Sequence, residues 1–256
     1  IEGDTFIYCS TLDSVKIPST VKSTGNGAFG YCSNLRNVYI SDLDAWCGIE
    51  HNLSGNPLAN GASLILNGEP VTEIVFDKPE VKPYAFNNCK SIAKVTFTDN
   101  VKKIGEHSFQ FCNKINTINI GNSVERIDDF AFASCGNSRK GLNVTFGKGI
   151  VSVGGSSFRN SYIKELGLKN TDIKTIGVNA FAGCGSLLNV ELPENLEKIE
   201  TGCFSGCTGL EAVLFNDNLK EISQGAFSGC RNLAKITLPV DLETIDSSAF
   251  RNTGIK

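Results

Sequence analysis

Ten cysteines, two histidines and a few paired carboxylates are the side chains whose types first suggest chemistry. Metal binding, redox exchange and acid–base catalysis all draw on such groups. Eight of the cysteines (Cys9, Cys32, Cys89, Cys112, Cys135, Cys184, Cys207 and Cys230) lie three residues after a phenylalanine. Ser161 and Thr253 fill the same place after Phe158 and Phe250. A ligating or bonded thiol would not be so replaceable, so these cysteines read as buried free thiols acting as small hydrophobes. Cys203 and Cys207 are four apart, which is not a zinc-knuckle spacing, and Cys203 reads as core filling. Cys47 has no equivalent, and a partner outside this stretch of chain stays open for it. His107, two residues before Phe109, reads as a solvated side chain. His51 adjoins Glu50 and lies near Trp46, where a small pocket could form, but no third polar partner sits at useful spacing. Asp128-Asp129 and the Glu194/Glu197 pair read as solvated charges, since calcium needs several converging oxygens. Gly147-Lys148-Gly149 and Gly154-Gly155 lack the strand–loop–helix context of a phosphate loop. The expectation is therefore no catalytic residue, no metal and no cofactor.

The composition narrows the classes further. Hydrophobic residues make up 41% of the 256 and charged residues 20%, enough apolar material for a folded core. Lys plus Arg number 24 against 27 Asp plus Glu, a net charge of −3 that lacks the electrostatic footprint of a nucleic-acid binder. No apolar run approaches the roughly 18 residues of a membrane helix. The first residues, Ile1-Glu2-Gly3-Asp4, do not form a signal peptide.

The phenylalanines define the elements that position everything else. Phe6 and Phe29 are 23 apart, as are Phe86, Phe109 and Phe132, and again Phe158, Phe181, Phe204, Phe227 and Phe250. Phe132 to Phe158 is 26, the same unit with three residues added at Asn137–Lys140, and Phe29 to Phe86 is 57. Five residues before most of these phenylalanines sits Ile or Val, from Val81 and Ile104 to Ile222 and Ile245. After each Phe a Leu-x-x-Val-x-Ile run recurs, as in Leu35/Val38/Ile40 and Ile115/Ile118/Ile120. Its β-branched, period-two end reads as a short strand with one buried face. The Ala-Phe-x-x-Cys part is too short for a free helix and reads as a tight turn or a single helical turn. One 23-residue unit cannot bury its own apolar face, whereas stacking units buries a continuous core. The reading is a solenoid of nine to ten units over residues 1–256, with a parallel sheet along one side and an irregular insert at about 41–80. At the usual strand spacing the rod is about 45–55 Å long. Adjacent coils would bring the cysteine Cα atoms within disulfide range, but stacked side chains point the same way and keep the Cβ atoms apart. Neither end has the polar outer face of a capping repeat, so the chain reads as a piece of a longer protein.

The pattern Ile-Gly-x-x-x-Phe-x-x-Cys-x-x-Ile-x-x-Ile-x-Ile, from Ile104 to Ile120, resembles the BspA-like class of leucine-rich repeats and the 23-residue Treponema-type repeats. The resemblance covers essentially the whole chain. The interruption also fits, with Asp42-Leu43-Asp44-Ala45-Trp46-Cys47, Asn56-Pro57-Leu58 and Leu64-Ile65-Leu66-Asn67-Gly68-Glu69 similar to an insert frequent in that family. Its Asn67-Gly68 is a hairpin-type turn signal. The resemblance implies a curved, right-handed leucine-rich-repeat solenoid, with its sheet on the concave side and short turns on the convex side. It further implies an extracellular or cell-surface, non-enzymatic protein acting in adhesion or host contact.

Candidate binding residues follow from the strand pattern. Between the two buried residues of each strand, one side chain must face solvent: Lys16, Tyr39, Thr96, Asn119, Thr145, Glu191, Leu214 and Thr237, with Gly167 at a slipped strand after Phe158. This mixed, neutral strip points to a protein or a glycan as partner, with Tyr39 and Leu214 as the apolar anchors, and the resemblance implies that a protein partner is a host or matrix protein. Trp46, the chain's only tryptophan, and His51 make the insert the second candidate. The alternative reading is a structural spacer that displays a neighbouring domain. Oligomeric state stays open.

Overall fold

A computed structural model describes residues 1–256, and it consists of stacked coils with almost no helix. The strand predicted from Val-x-Ile forms in most coils: Ser14–Ile17, Asn37–Ile40, Lys94–Phe97, Thr117–Asn119, Leu142–Thr145, Ile163–Gly167, Asn189–Glu191 and Ala212–Leu214. All pair in parallel with a neighbouring coil, Ser14–Ile17 and Ala212–Leu214 on one side only, and equivalent residues face each other, as in Val15↔Val38 and Ile118↔Val95. Because side chains alternate along a strand, this register puts Val on Val inside and leaves the residue between them outside.

The sheet is not continuous. Ser14–Ile17, Asn37–Ile40 and Ser63–Leu66 form one sheet, and Glu73–Phe76 starts a second one of seven strands. The break comes from the hairpin in the insert. Asn67 and Gly68 both take positive φ (52° and 86°), the backbone of a tight two-residue turn. Glu69–Pro70 then folds back antiparallel onto Ser63–Leu66 and occupies the edge the next coil would use.

A second ladder runs at the Ile/Val position five residues before Phe. There Glu80–Val81, Lys103–Ile104, Arg126–Ile127, Ser152–Val153 and Thr175–Ile176 pair in parallel, as do Lys198–Ile199, Glu221–Ile222 and Thr244–Ile245. Each strand is two residues long, too short for sequence periodicity to announce it.

The Phe–Cys segment is a turn in every coil rather than a helical one. Residues two before and two after the phenylalanine adopt positive φ, for example His107 and Phe111, Phe130 and Ser134, Gly202 and Gly206. The backbone N–H groups of these two residues and of the Phe between them donate to three carbonyls of the next coil. Phe130, Phe132 and Ser134 bond Gly155, Ser157 and Arg159 at 3.0, 2.7 and 2.8 Å. The turn side is thus stitched as tightly as the sheet side. The phenylalanine rings stack along the axis, with centroids 5.4 Å apart for Phe109–Phe132 and 5.2 Å for Phe132–Phe158. They belong to one hydrophobic core of 65 buried residues.

The insert supplies the only helices: Leu43–Cys47, capped by the Asp42 carboxylate accepting from Ala45 N, and a 3-10 turn at Pro57–Asn60. In the last coil, residues 235–238 donate and accept no ladder hydrogen bond, contrary to the expected strand around Thr237. That segment has a coil on one side only, and Leu238 stays exposed and Ile236 half-buried. With little apolar area to bury there, the pairing does not close.

Candidate functional site

The outward side chains form one column per sheet. Lys16, Tyr39 and Ile65 stand in register on the first sheet. On the second, Val75, Thr96, Asn119 and Thr145 are in register, and after an irregularity at Leu142/Val144 so are Gly167, Glu191 and Leu214. The slip placed at Gly167 is therefore present. Within the column Asn119 Nδ2 donates to Thr96 Oγ1 at 3.3 Å, while Glu191 pairs with Lys169, outside the column, at 3.3 Å. Leu214 is 55% exposed and Tyr39 39%, so both expected anchors are on the surface. Thr237 is exposed but lies outside the sheet, across an open cleft of about 300 Å³ bordered by Leu214, Ile236 and Leu238.

Two members of the column escaped the sequence reading. Val75, 68% exposed, is its most exposed large apolar residue, and Ile65 is buried. The signal for Val75 was available, because Val71-x-x-Ile74-x-Phe76 repeats the strand pattern inside the stretch assigned to the insert.

The insert pair is corrected. Trp46 is only 1% exposed, and its Nε1 donates to Ala85 O at 3.1 Å, so it is a core residue and presents nothing to a ligand. His51 is also buried. It pairs with Thr24 at the position where other coils put Ile or Val, its Nδ1 lies 3.0 Å from Thr24 Oγ1, and its ring packs 4.7 Å from Trp46. Its Nε2 has no hydrogen-bond partner, and burial holds its pKa at about 3, so the ring is neutral at physiological pH. The pocket expected between Trp46 and His51 is filled by their own contact.

His107 is likewise not a solvated side chain. Its ring lies flat between Tyr84 and Phe130, with centroids at 4.9 and 4.8 Å, and its Nδ1 meets Gln110 Oε1 at 2.7 Å. The positive φ shared by these three residues stacks their side chains as it stacks the coils. Asp128 is largely buried in an ion pair with Lys103 at 3.3 Å, and Asp129 Oδ1 accepts from Gly155 N at 2.7 Å, so neither is merely solvated. Glu194 and Glu197 are exposed as expected. Gly154 serves close packing: a Cβ there would sit 2.6 Å from the backbone of Asp128 and Asp129.

All ten cysteines are free. Their role is more specific than filling space. The thiols of Cys32, Cys112, Cys135, Cys184, Cys207 and Cys230 each donate to the carbonyl of the Phe one coil earlier, at 3.1–3.2 Å. Ser161 makes the same bond to Phe132 O at 2.7 Å, which explains why serine substitutes there. Burial pushes the Cys135, Cys184 and Cys47 thiols up to about 12, so these three are protonated at neutral pH. No three His, Cys, Asp or Glu side chains gather as metal ligands.

A family described as the BspA type leucine rich repeat region matches in six copies, over residues 1–45, 68–171 and 137–256. The chain belongs to that family. Several solved members of the leucine-rich-repeat class share its fold. A leucine-rich repeat protein of Eubacterium ventriosum is 18% identical with a TM-score of 0.57, over 95% of this chain and 83% of that one. A leucine rich cell surface protein of Faecalibacterium prausnitzii is 21% identical with a TM-score of 0.54, over 98% and 73%. One from Bacteroides ovatus is 21% identical with a TM-score of 0.53, over 98% and 80%. No curated protein sequence matches the chain. For this BspA-type repeat protein, no helix is long and apolar enough to cross a membrane.

Proposed function

We propose that this BspA-type repeat protein is a non-enzymatic interaction module displayed at a cell surface, binding a host or matrix protein through its sheet face. The observation that carries the reading is the outward column. Tyr39, Val75 and Leu214 expose large apolar side chains on a face whose other exposed members are small or polar. Apolar anchors set in a polar surround are how a flat interface concentrates its binding energy. Surface display draws on the Faecalibacterium relative, described as a cell surface protein.

The test is binding of the purified chain to arrays of matrix proteins and glycans, beside a Tyr39→Ala/Val75→Ala/Leu214→Ala variant. All three side chains are exposed, so the variant keeps its melting temperature. Saturable binding to a protein that is lost in the variant supports the reading. Binding unchanged by the variant removes the sheet face, and no binding at all leaves a spacer.

A further inference from the structure

From Phe86 onward the 23-residue period is broken once, by the three residues added within Asn137–Lys140. The resulting loop is held rigidly. Gly141 N donates to Asn137 O at 2.8 Å, and Asn137 Oδ1 accepts from Arg139 N at 3.2 Å and Lys140 N at 3.1 Å. Asn137 Nδ2 ties the loop to the preceding coil through Asn113 O at 3.0 Å. Gly136 and Gly141, both at positive φ, let the chain leave and rejoin the coil.

The loop and the two coils before it bound an open cup of about 420 Å³, lined by Ala93, Lys114, Asn137, Ser138, Arg139 and Lys140. Three of these six are cations and none is acidic. Lys114, Arg139 and Lys140 are exposed and take part in none of the molecule's ion pairs. Lys164 of the next coil lies across Gly141, where a Cβ would come within 2.5 Å of its Cε, and so adds a fourth cation at the margin. The short-strand side of the solenoid contrasts with this. There Lys103 sits between Glu80 and Asp128 at 2.8 and 3.3 Å, and Lys198 between Glu221 and Glu200 at 3.0 and 3.5 Å. A chain of net charge −3 could have paired its cup cations in the same way. It instead holds three unneutralised cations around the cup, Arg139 and Lys140 on the loop and Lys114 on the coil before it, an arrangement that attracts an external anion.

We propose that this cup binds a sulfated polysaccharide. Arg139 presents a planar fork suited to a sulfate or carboxylate, Lys114 and Lys140 supply point charges for neighbouring anionic groups, and the Ser138 hydroxyl faces sugar hydroxyls. Ala93 is the only apolar wall, so the cup offers no pocket for the apolar side chains that anchor a protein partner. No aromatic ring lines it, so it has no platform for nucleic-acid bases. The rigid loop lowers the ordering cost of binding. This site is separate from the sheet-face column and does not depend on it.

The test titrates the chain with a size-defined heparin oligosaccharide by calorimetry at low and moderate salt. Wild type, Arg139→Ser/Lys140→Ser, Lys114→Ala and a distant Lys174→Ala are compared, with a chemically desulfated oligosaccharide and a poly-glutamate peptide as further probes. We expect the double variant to weaken binding about five- to tenfold, as two exposed charged contacts should, with a shallower salt dependence and an unchanged melting temperature. Lys114→Ala weakens binding less, and Lys174→Ala not at all. Desulfation abolishes binding. The proposal is overturned by absence of binding to wild type, by equal losses in Lys174→Ala, or by poly-glutamate binding as tightly. The Tyr39→Ala/Val75→Ala/Leu214→Ala variant retains heparin affinity, so the two proposals fail separately.

Discussion

Between Phe86 and Phe250 each coil meets the next through like residues, whereas between Phe29 and Phe86 the same contacts are made by unlike ones. In the regular array, Phe rings stack at 5.1–5.5 Å, Ile or Val faces Ile or Val, and turn N–H groups reach the carbonyls of the following coil. At the insert, asparagine side chains take over that bonding. Asn60 Nδ2 donates to Phe29 O at 2.8 Å, in the place a cysteine thiol holds elsewhere, while Asn56 Nδ2 bonds Tyr84 O at 2.6 Å and Asn88 Nδ2 bonds Ala59 O at 2.8 Å. Trp46 supplies the missing aromatic bulk, and the Thr24–His51 pair replaces two apolar residues. Every buried carbonyl needs a donor, and where the chain is out of register these side chains supply donors beside backbone groups such as Lys90 N, which donates to Ala62 O at 3.1 Å.

The comparison can be broken most sharply in the core. Phe132→Ala removes a ring packed on both sides and should cost about 3–5 kcal/mol, and Trp46→Ala should cost as much if the insert is integral to the core. Urea unfolding of both variants checks this. A Trp46→Ala loss below about 1 kcal/mol would make the insert an ornament on the array.

Acid should discriminate the two regions next. Burial holds the folded pKa of His51 at about 3, below its unfolded value of 6.5, so the unfolded chain takes up the proton first. Stability from this group is intact above about pH 6.5 and falls by about 1.4 kcal/mol per pH unit toward pH 3. Restoring apolar residues with Thr24→Val/His51→Ile should flatten this contribution, read as the difference between the two proteins' melting temperatures across pH 7 to 4.

Smaller effects address the hydrogen bonds. Asn60→Ala removes the closer of two donors to Phe29 O, leaving only Cys32 N at 3.4 Å, and should cost about 0.5–1.5 kcal/mol. Cys135→Ser keeps the bond to Phe109 O, as Ser161 does for Phe132 O, and should cost less than about 1 kcal/mol, with Cys135→Ala costing more. Denaturant midpoints of the three variants rank these losses.

The same contrast explains how much was legible in the sequence. Phe, Ile, Val and Cys recur at fixed spacing because each coil reuses one set of contacts, and that periodicity gave the core, the strands and the outward column. The Asn67-Gly68 turn was readable because its backbone demands those residues. The positive-φ positions escaped notice since Asp, Gly, Tyr, His, Phe, Ser and Asn all occupy them in different coils. Trp46 and His51 were misplaced for a related reason. Their contacts occur once, and a contact without a period leaves no trace in a single chain. Val75 was lost by treating all of 41–80 as irregular when its last strand already belongs to the array.

The bonds that join the coils all run along the axis of the rod, on the turn side as well as in the sheet. Tension applied between the two ends therefore opens them one rung at a time rather than shearing many at once. Each coil that lets go would release 23 residues, roughly 75 Å of extended chain, for the loss of one layer. Pulled from its two ends, such a rod would lengthen in steps and dissipate the pull instead of passing it on.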